Sequence, residues 1–188
     1  MSILHAAVLA PFGFTVFVPM LYKFARRIHT GWFVLPVPAL LFLYFLSLLP
    51  GDPHPDAPGA AISASWPWIP RLGLRFDLYL DGLSHLFALI ITGIGALVVL
   101  YSVFYLAKER EALHNFYVYL LLFMGAMLGV VLADNLLLLY TFWEITSISS
   151  FLLIAYWYQR KRSRYGAVKS LLITVAGGLA MLFGILLL

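Results

Sequence analysis

The chain contains no cysteine, so disulfide bridges, thiolate zinc sites and cysteine-held iron–sulfur clusters are excluded within it. It is also poor in charge. Only 11% of its 188 residues are Asp, Glu, Lys or Arg, against about 25% in a soluble globular domain. The first five residues, Met1 to His5, hold no Lys or Arg, so the basic segment that opens a cleavable signal peptide is missing. Neither a phosphate-binding glycine loop, a Gly-x-Ser-x-Gly elbow nor a His-Glu-x-x-His helix is present. Soluble-type hydrolytic or nucleotide chemistry has no motif to stand on.

What fills the chain instead is apolar. Hydrophobic residues make up 63% of it, and the mean hydropathy is +0.97. Several apolar runs approach the roughly 20 residues that a helix needs to cross a bilayer. The net charge of +4 does not indicate nucleic acid, because the basic residues sit at the ends of the apolar runs and not on one soluble face. The expected fold is an all-α integral membrane protein of about six transmembrane helices in one membrane domain, residues 1–188. The spans are 3–22, 32–49, 81–107, 114–133, 136–158 and 166–188.

Between the second and third spans lies an outer loop, 50–80. It opens with Pro50, Gly51, Pro53, Pro55, Pro58, Gly59, Pro67 and Pro70, a run without helix. Its end alternates, with Leu72, Leu74, Phe76, Leu78 and Leu80 on one side and Gly73, Arg75, Asp77 and Tyr79 on the other. That period of two predicts a short β-like segment with one buried face. Asp81, before Gly82-Leu83-Ser84, predicts a helix N-cap.

Orientation follows from charge. With the N-terminus outside, ten of the twelve Lys and Arg residues lie on the inner side, and only Arg71 and Arg75 lie outside. The positive-inside tendency selects this arrangement. The last residues are still apolar at Leu188, which leads to the expectation of a fragment of a larger protein.

Glu144 is the residue that demands an explanation. It lies eight residues into the fifth span, about 12 Å along the axis, near the middle of a hydrocarbon layer about 30 Å thick. A charge there costs roughly 2.5–3.5 kcal/mol on insertion scales. The carboxyl group must take a proton or a cationic partner, and exchange between those states is what a proton relay does. Thr141 and Ser147, at i−3 and i+3, share its face, with Tyr140 at i−4. This polar stripe is expected to hold water. The bland alternative is a structural hydrogen bond to a facing helix.

Lys169, near the start of the sixth span, reads either as a snorkelling surface lysine or as a second relay position. Thr174, Gly177 and Gly178 follow it and permit close helix contact. Asp81, Ser84 and His85 cluster at the outer end of the third span. They read as a helix cap with an Asp81–His85 pair, or as an outer ion entry. Asp134-Asn135 reads as a tight turn. Gly125 and Gly129 form a small-xxx-small spacing that signals packing. His85 and His114 fall at opposite membrane faces, which excludes them as a shared haem ligand pair.

The stretch Phe142-Trp143-Glu144-Ile145-Thr146-Ser147, continued by Ser149 to Ile154, resembles the fifth helix of antiporter-like membrane subunits. These occur in respiratory complex I and in multisubunit (Mrp-type) sodium/proton antiporters. Ser163-Arg164-Tyr165-Gly166-Ala167-Val168-Lys169-Ser170, continued to Thr174, is similar to the Mrp type, and Asp81-Gly82-Leu83-Ser84 also fits. The resemblance runs from about residue 72 onward. It implies that Glu144 is the family's fifth-helix glutamate, whose lysine partner lies on a seventh helix beyond residue 188. It further implies sodium/proton exchange without a redox cofactor, other membrane subunits as partners, sodium and protons as the transported ions, and a bacterial cell membrane location. The bilayer is a partner on composition alone. A proton-pumping subunit of a redox-driven complex, and a non-conducting structural subunit, remain as alternatives.

Overall fold

In the computed structural model the described residues are 2–24, 28–48, 62–69, 74–106 and 112–187. They form α1 (Ile3–Phe24), α2 (Thr30–Val34), α3 (Pro36–Ser47), β1 (Ile62–Ile69), β2 (Leu74–Leu80), α4 (Gly82–Tyr105), α5 (Leu113–Leu132), α6 (Leu136–Ile154) and α7 (Lys161–Leu186). Six segments are long and apolar enough to cross a membrane, with α2 and α3 together making one span, Thr30–Ser47. The protein is a multi-pass membrane protein, mostly helical, with a two-stranded sheet between its second and third spans.

The second span is broken where one continuous helix is expected. Pro36 and Pro38 lack amide hydrogens, and the chain divides at Leu35, which caps α2 and opens α3. The Leu35 amide still reaches the Gly31 carbonyl at 2.8 Å, and Ala39 reaches the Leu35 carbonyl at 3.2 Å, so the break leaves the axis hydrogen-bonded. Such repair is what makes proline tolerable in a bilayer. Pro11 and Pro19 are carried inside α1 without a break.

The outer loop contains more order than its prolines suggest. Ile62–Ile69 is a strand, paired antiparallel with Leu74–Leu80 in a register running from Ile62↔Leu80 to Ile69↔Leu74. Pro67 fits because a two-stranded sheet is all edge, and the register shifts beside it. Residues 50–61 and Leu72 lie outside the described residues. On β2, Leu78 and Leu80 are buried while Arg75 and Tyr79 are exposed, the face expected from the alternation.

The hairpin is tied down. The Asp134 amide donates to the Asp77 carbonyl at 3.0 Å, and Leu78 bridges Ala133, so the α5–α6 turn borders the sheet. His5 on α1 is buried and reaches the Phe76 carbonyl through Nε2 at 2.9 Å, with Ser2 Oγ 2.8 Å from its Nδ1. The hairpin thus covers the start of α1 and the end of α5.

Helix α5 is the centre of the bundle, packed against α1, α4 and α6. Its Tyr117, Leu121, Leu128 and Leu132 are among the most buried side chains. Lipid offers no hydrophobic drive for helix association, so shape must supply it. Gly125 and Gly129 do this by admitting aromatic rings: a Cβ at Gly125 would meet Phe12 of α1 at 2.8 Å, and one at Gly129 would overlap Phe142 of α6. The small-xxx-small spacing therefore serves packing within this chain.

The last two spans differ from expectation at their junction. Helix α6 ends at Ile154, four residues before Tyr158, and α7 begins at Lys161, five residues before Gly166. Hydropathy marks where a chain enters lipid, whereas Lys161, Arg162 and Arg164 are good helix formers and start the helix while still in the polar zone. Between the helices, Tyr156 packs against Phe116 with ring centres 5.4 Å apart, and Arg160 sits over Trp157. Ser163 Oγ donates back to the Ile154 carbonyl and closes α6.

Candidate functional site

Glu144 lies mid-way along α6 and faces α7. A Cβ at Gly178 would overlap its Oε1. The match in depth is geometric. Glu144 is eight residues from the start of α6 and Gly178 eight residues from the end of α7, so both lie about 12 Å from the same end of the bundle. Gly178 is buried on an otherwise largely exposed helix. The side chain of Glu144 is half-buried, and its Oε1 is fully buried with no hydrogen-bond partner among the described residues. Tyr140, one turn earlier, interacts with the carboxyl group through its hydroxyl.

The expected polar stripe lies beside Glu144, and its hydroxyls donate back along α6. Thr141 Oγ1 donates to the Leu137 carbonyl at 2.8 Å, and the buried Ser147 Oγ donates to the Trp143 carbonyl at 3.2 Å. Thr146, Ser149 and Ser150 bond back to their own helix in the same way. These hydroxyl protons are spent on carbonyls one turn back, a local bond that suits a helix in lipid. Thr141 and Ser147 thus flank the carboxylate but do not donate to it.

Lys169 does not approach Glu144. Its side chain is exposed, and it lies nine residues from Gly178 along α7, about 13.5 Å in axial rise. Among the larger contacts of the described residues, helix α7 packs only against α6.

At the start of α4, Asp81 and Ser84 come together and His85 turns away. Asp81 Oδ1 accepts from the Ser84 amide at 2.7 Å, and Ser84 Oγ accepts from the Asp81 amide at 2.8 Å, a reciprocal cap for α4. The Ser84 amide, then its hydroxyl, hold the Asp81 carboxyl below its ordinary value of 3.8. The expected Asp81–His85 pair is not formed. His85 Nε2 instead contacts the Phe45 carbonyl at 2.7 Å, at the end of α3, where that carbonyl also accepts from the Leu48 amide at 3.1 Å. A cavity of about 330 Å³ opens beside the cap, lined by Asp81, Ser84, Tyr79, Phe87 and Asp134.

Asp134 borders this cavity although its sequence signature is only that of a turn. The helix cap beside it is Asn135, whose Oδ1 accepts from the Leu137 amide at 2.9 Å. Among the described residues no group of three His, Asp or Glu converges in a way that would hold a metal ion. Sequence reasoning missed the clasp from His5 to Phe76, which joins residues 71 apart in the chain. It also missed Phe142, whose ring lies 5.8 Å from Phe76 and 6.2 Å from Phe12 and fills the groove at Gly129.

Comparisons with known proteins fit this arrangement. Residues 133–188 match the family described as "NADH:quinone oxidoreductase/Mrp antiporter, TM". Residues 66–117 match that described as "NADH-Ubiquinone oxidoreductase (complex I), chain 5 N-terminus". The sequence is 59% identical over 184 residues to the A subunit of the Na(+)/H(+) antiporter of Alkalihalophilus pseudofirmus, covering 98% of this chain and 22% of that protein. It is 59% identical over 187 residues to the A1 subunit of the Na(+)/H(+) antiporter of Staphylococcus haemolyticus, covering 100% of this chain and 23% of that protein. The chain thus spans less than a quarter of the length of these curated relatives. Among solved structures, the Mrp complex from Dietzia sp. DQ12-45-1b superposes with a TM-score of 0.82 at 35% identity, covering 97% of this chain and 19% of that one. An archaeal membrane-bound sulfane sulfur reductase superposes with a TM-score of 0.71 at 22% identity, covering 94% and 26%, and shares the fold alone.

Proposed function

This chain belongs to the membrane-subunit family shared by Mrp antiporters and NADH:quinone oxidoreductases, and from that premise we propose that it forms part of a sodium/proton antiporter subunit in which Glu144 handles the proton. The observation that carries this reading is the buried Oε1 of Glu144, mid-membrane and without a donor among the described residues. A carboxyl group in that position is stable when it holds a proton or when a cationic partner lies beside it. Alternation between those two conditions moves a proton without any redox step.

The work is that of a secondary transporter subunit, not of an enzyme. The partners are other membrane subunits of one complex, the ions are sodium and protons, and the location is a bacterial plasma membrane with the basic helix ends inside. Lys169, being distant from Glu144, serves as a relay position only if intervening groups or water connect the two.

The test uses Glu144→Gln in the full-length subunit within its complex. Sodium/proton exchange in everted vesicles is lost while the complex assembles at the normal level. Exchange retained at the wild-type rate would sink the proposal. Loss of assembly with normal exchange in what remains would support a structural carboxylate instead. The match of residues 66–117 to a complex I chain favours a second reading, a pumping subunit of a redox-driven enzyme. Co-purification with flavin or iron–sulfur subunits would select it.

A further inference from the structure

The carboxyl group of Glu144 meets two neighbours of different kinds. Its Oε1 lies in the space left by the missing side chain of Gly178 and receives no hydrogen bond among the described residues. The second neighbour is Tyr140. Residues four apart on a helix have Cβ atoms about 5–6 Å from one another. Helical side chains also lean toward the N-terminus, so Glu144 leans back over the turn of α6 that carries Tyr140. Both side chains are half-buried, and the phenol hydroxyl interacts with the carboxyl group.

The other hydroxyls near this depth are committed elsewhere. Thr141 and Ser147 donate to the Leu137 and Trp143 carbonyls. On α7, Thr174, one turn from Gly178, donates to the Ser170 carbonyl at 3.0 Å. The two helices packed on α6 bring no ionisable group: α5 carries none from Leu120 to Leu132, and α7 none from Ser170 to Leu186. Tyr140 is thus the polar side chain left to Glu144 among the described residues. Its chemistry suits either state of a carboxyl group. A phenol donates its O–H to an ionised carboxylate and accepts the O–H of a protonated one, whereas a lysine ammonium only donates. Resting on the proposed proton handling by Glu144, we infer that Tyr140 is its positioning residue. The hydroxyl holds the carboxyl group beside Gly178 in both protonation states, so a proton is gained or lost without repacking α6 on α7.

The test is infrared difference spectroscopy on the complex containing the full-length subunit, with sodium/proton exchange measured on the same preparations per assembled complex. The Glu144 bands are those lost in Glu144→Gln. Tyr140→Phe keeps the ring and removes only the hydroxyl. In it the C=O band of the protonated carboxyl group is expected at higher wavenumber, because its hydrogen bond is gone. Exchange is expected to fall about tenfold, the equivalent of roughly 1.4 kcal/mol. Thr141→Val and Ser147→Ala, whose hydroxyls serve their own backbone, leave the band in place. An unmoved band in Tyr140→Phe overturns the inference whatever the exchange rate, and so does an equal shift in either control. A moved band with wild-type exchange overturns the role of Tyr140 in transport. Wild-type exchange in Glu144→Gln instead sinks the proton-handling proposal, an outcome that the band position does not depend on.

Discussion

Glu144 of α6 and Gly178 of α7 occupy one another's space: the carboxylate Oε1 lies where a Cβ on residue 178 would be. The absence of a side chain at Gly178 is therefore what admits an ionisable group between two membrane helices.

Gly178→Ala is expected to turn the flexible end of the Glu144 side chain aside, at a cost of about 0.5–1.5 kcal/mol for the displaced rotamer. Thermal melting of the full-length subunit in its complex checks this. The same substitution in a Glu144→Ala background is expected to cost much less, because the colliding atoms are gone. Equal costs in both backgrounds would show that the two residues are not coupled.

A similar argument applies to Gly129, where a Cβ would overlap the Phe142 ring. Gly129→Ala is expected to destabilise the α5–α6 contact by about 1–3 kcal/mol, with partial recovery when Phe142 is reduced to Leu. Gly177→Ala, where nothing among the described residues stands within 4 Å, is the contrasting control and is expected not to lower the melting temperature.

His85→Phe removes the contact to the Phe45 carbonyl while keeping a ring of similar size. The expected loss is about 1 kcal/mol, the usual worth of one hydrogen bond. Asp81→Asn has no effect on that contact, since Asp81 and His85 do not pair. A double-mutant cycle on the two positions should return no coupling, and a coupling energy above about 0.5 kcal/mol would contradict the geometry.

The Asp81 cap carries a pH signature. Its carboxyl group is held below the ordinary value of 3.8 by the Ser84 amide and hydroxyl. A lowered folded value means that the stabilisation is fully present above 3.8 and is lost as pH falls through the lower folded value. Asp81→Ala is expected to lower the melting temperature at neutral pH, whereas Asp81→Asn, also a good cap, retains most of it and abolishes the acid-dependent component. Melting curves between about pH 2 and 6 in detergent check both.

Much of the architecture was legible beforehand because a bilayer imposes few choices. Long apolar runs without charge must be helices, since lipid satisfies no backbone group. The alternation at 74–80 and the Asp81 cap are local signals that depend on neighbours in sequence. Glu144 was conspicuous for the same reason, as a carboxylate in a run where lipid penalises it. The strand at 62–69 was not legible, because Pro67 and the proline-rich run before it read as loop and only pairing with β2 makes Pro67 an edge residue. The end of α6 and the start of α7 were misread because hydropathy reports the membrane boundary and not the helix boundary.

The sequence by itself determined that this is a membrane protein with six segments long and apolar enough to span, one of which carries Glu144 in its middle. Composition and periodicity suffice when the solvent is apolar and element lengths are set by its thickness. Only the tertiary structure decided what each polar group meets. It turned His85 to α3, spent the hydroxyls of Thr141 and Ser147 on their own helix, left Lys169 far from the carboxylate and set Glu144 against Gly178. Those outcomes depend on how helices rotate and approach one another, and that is fixed by side chains far apart in the chain.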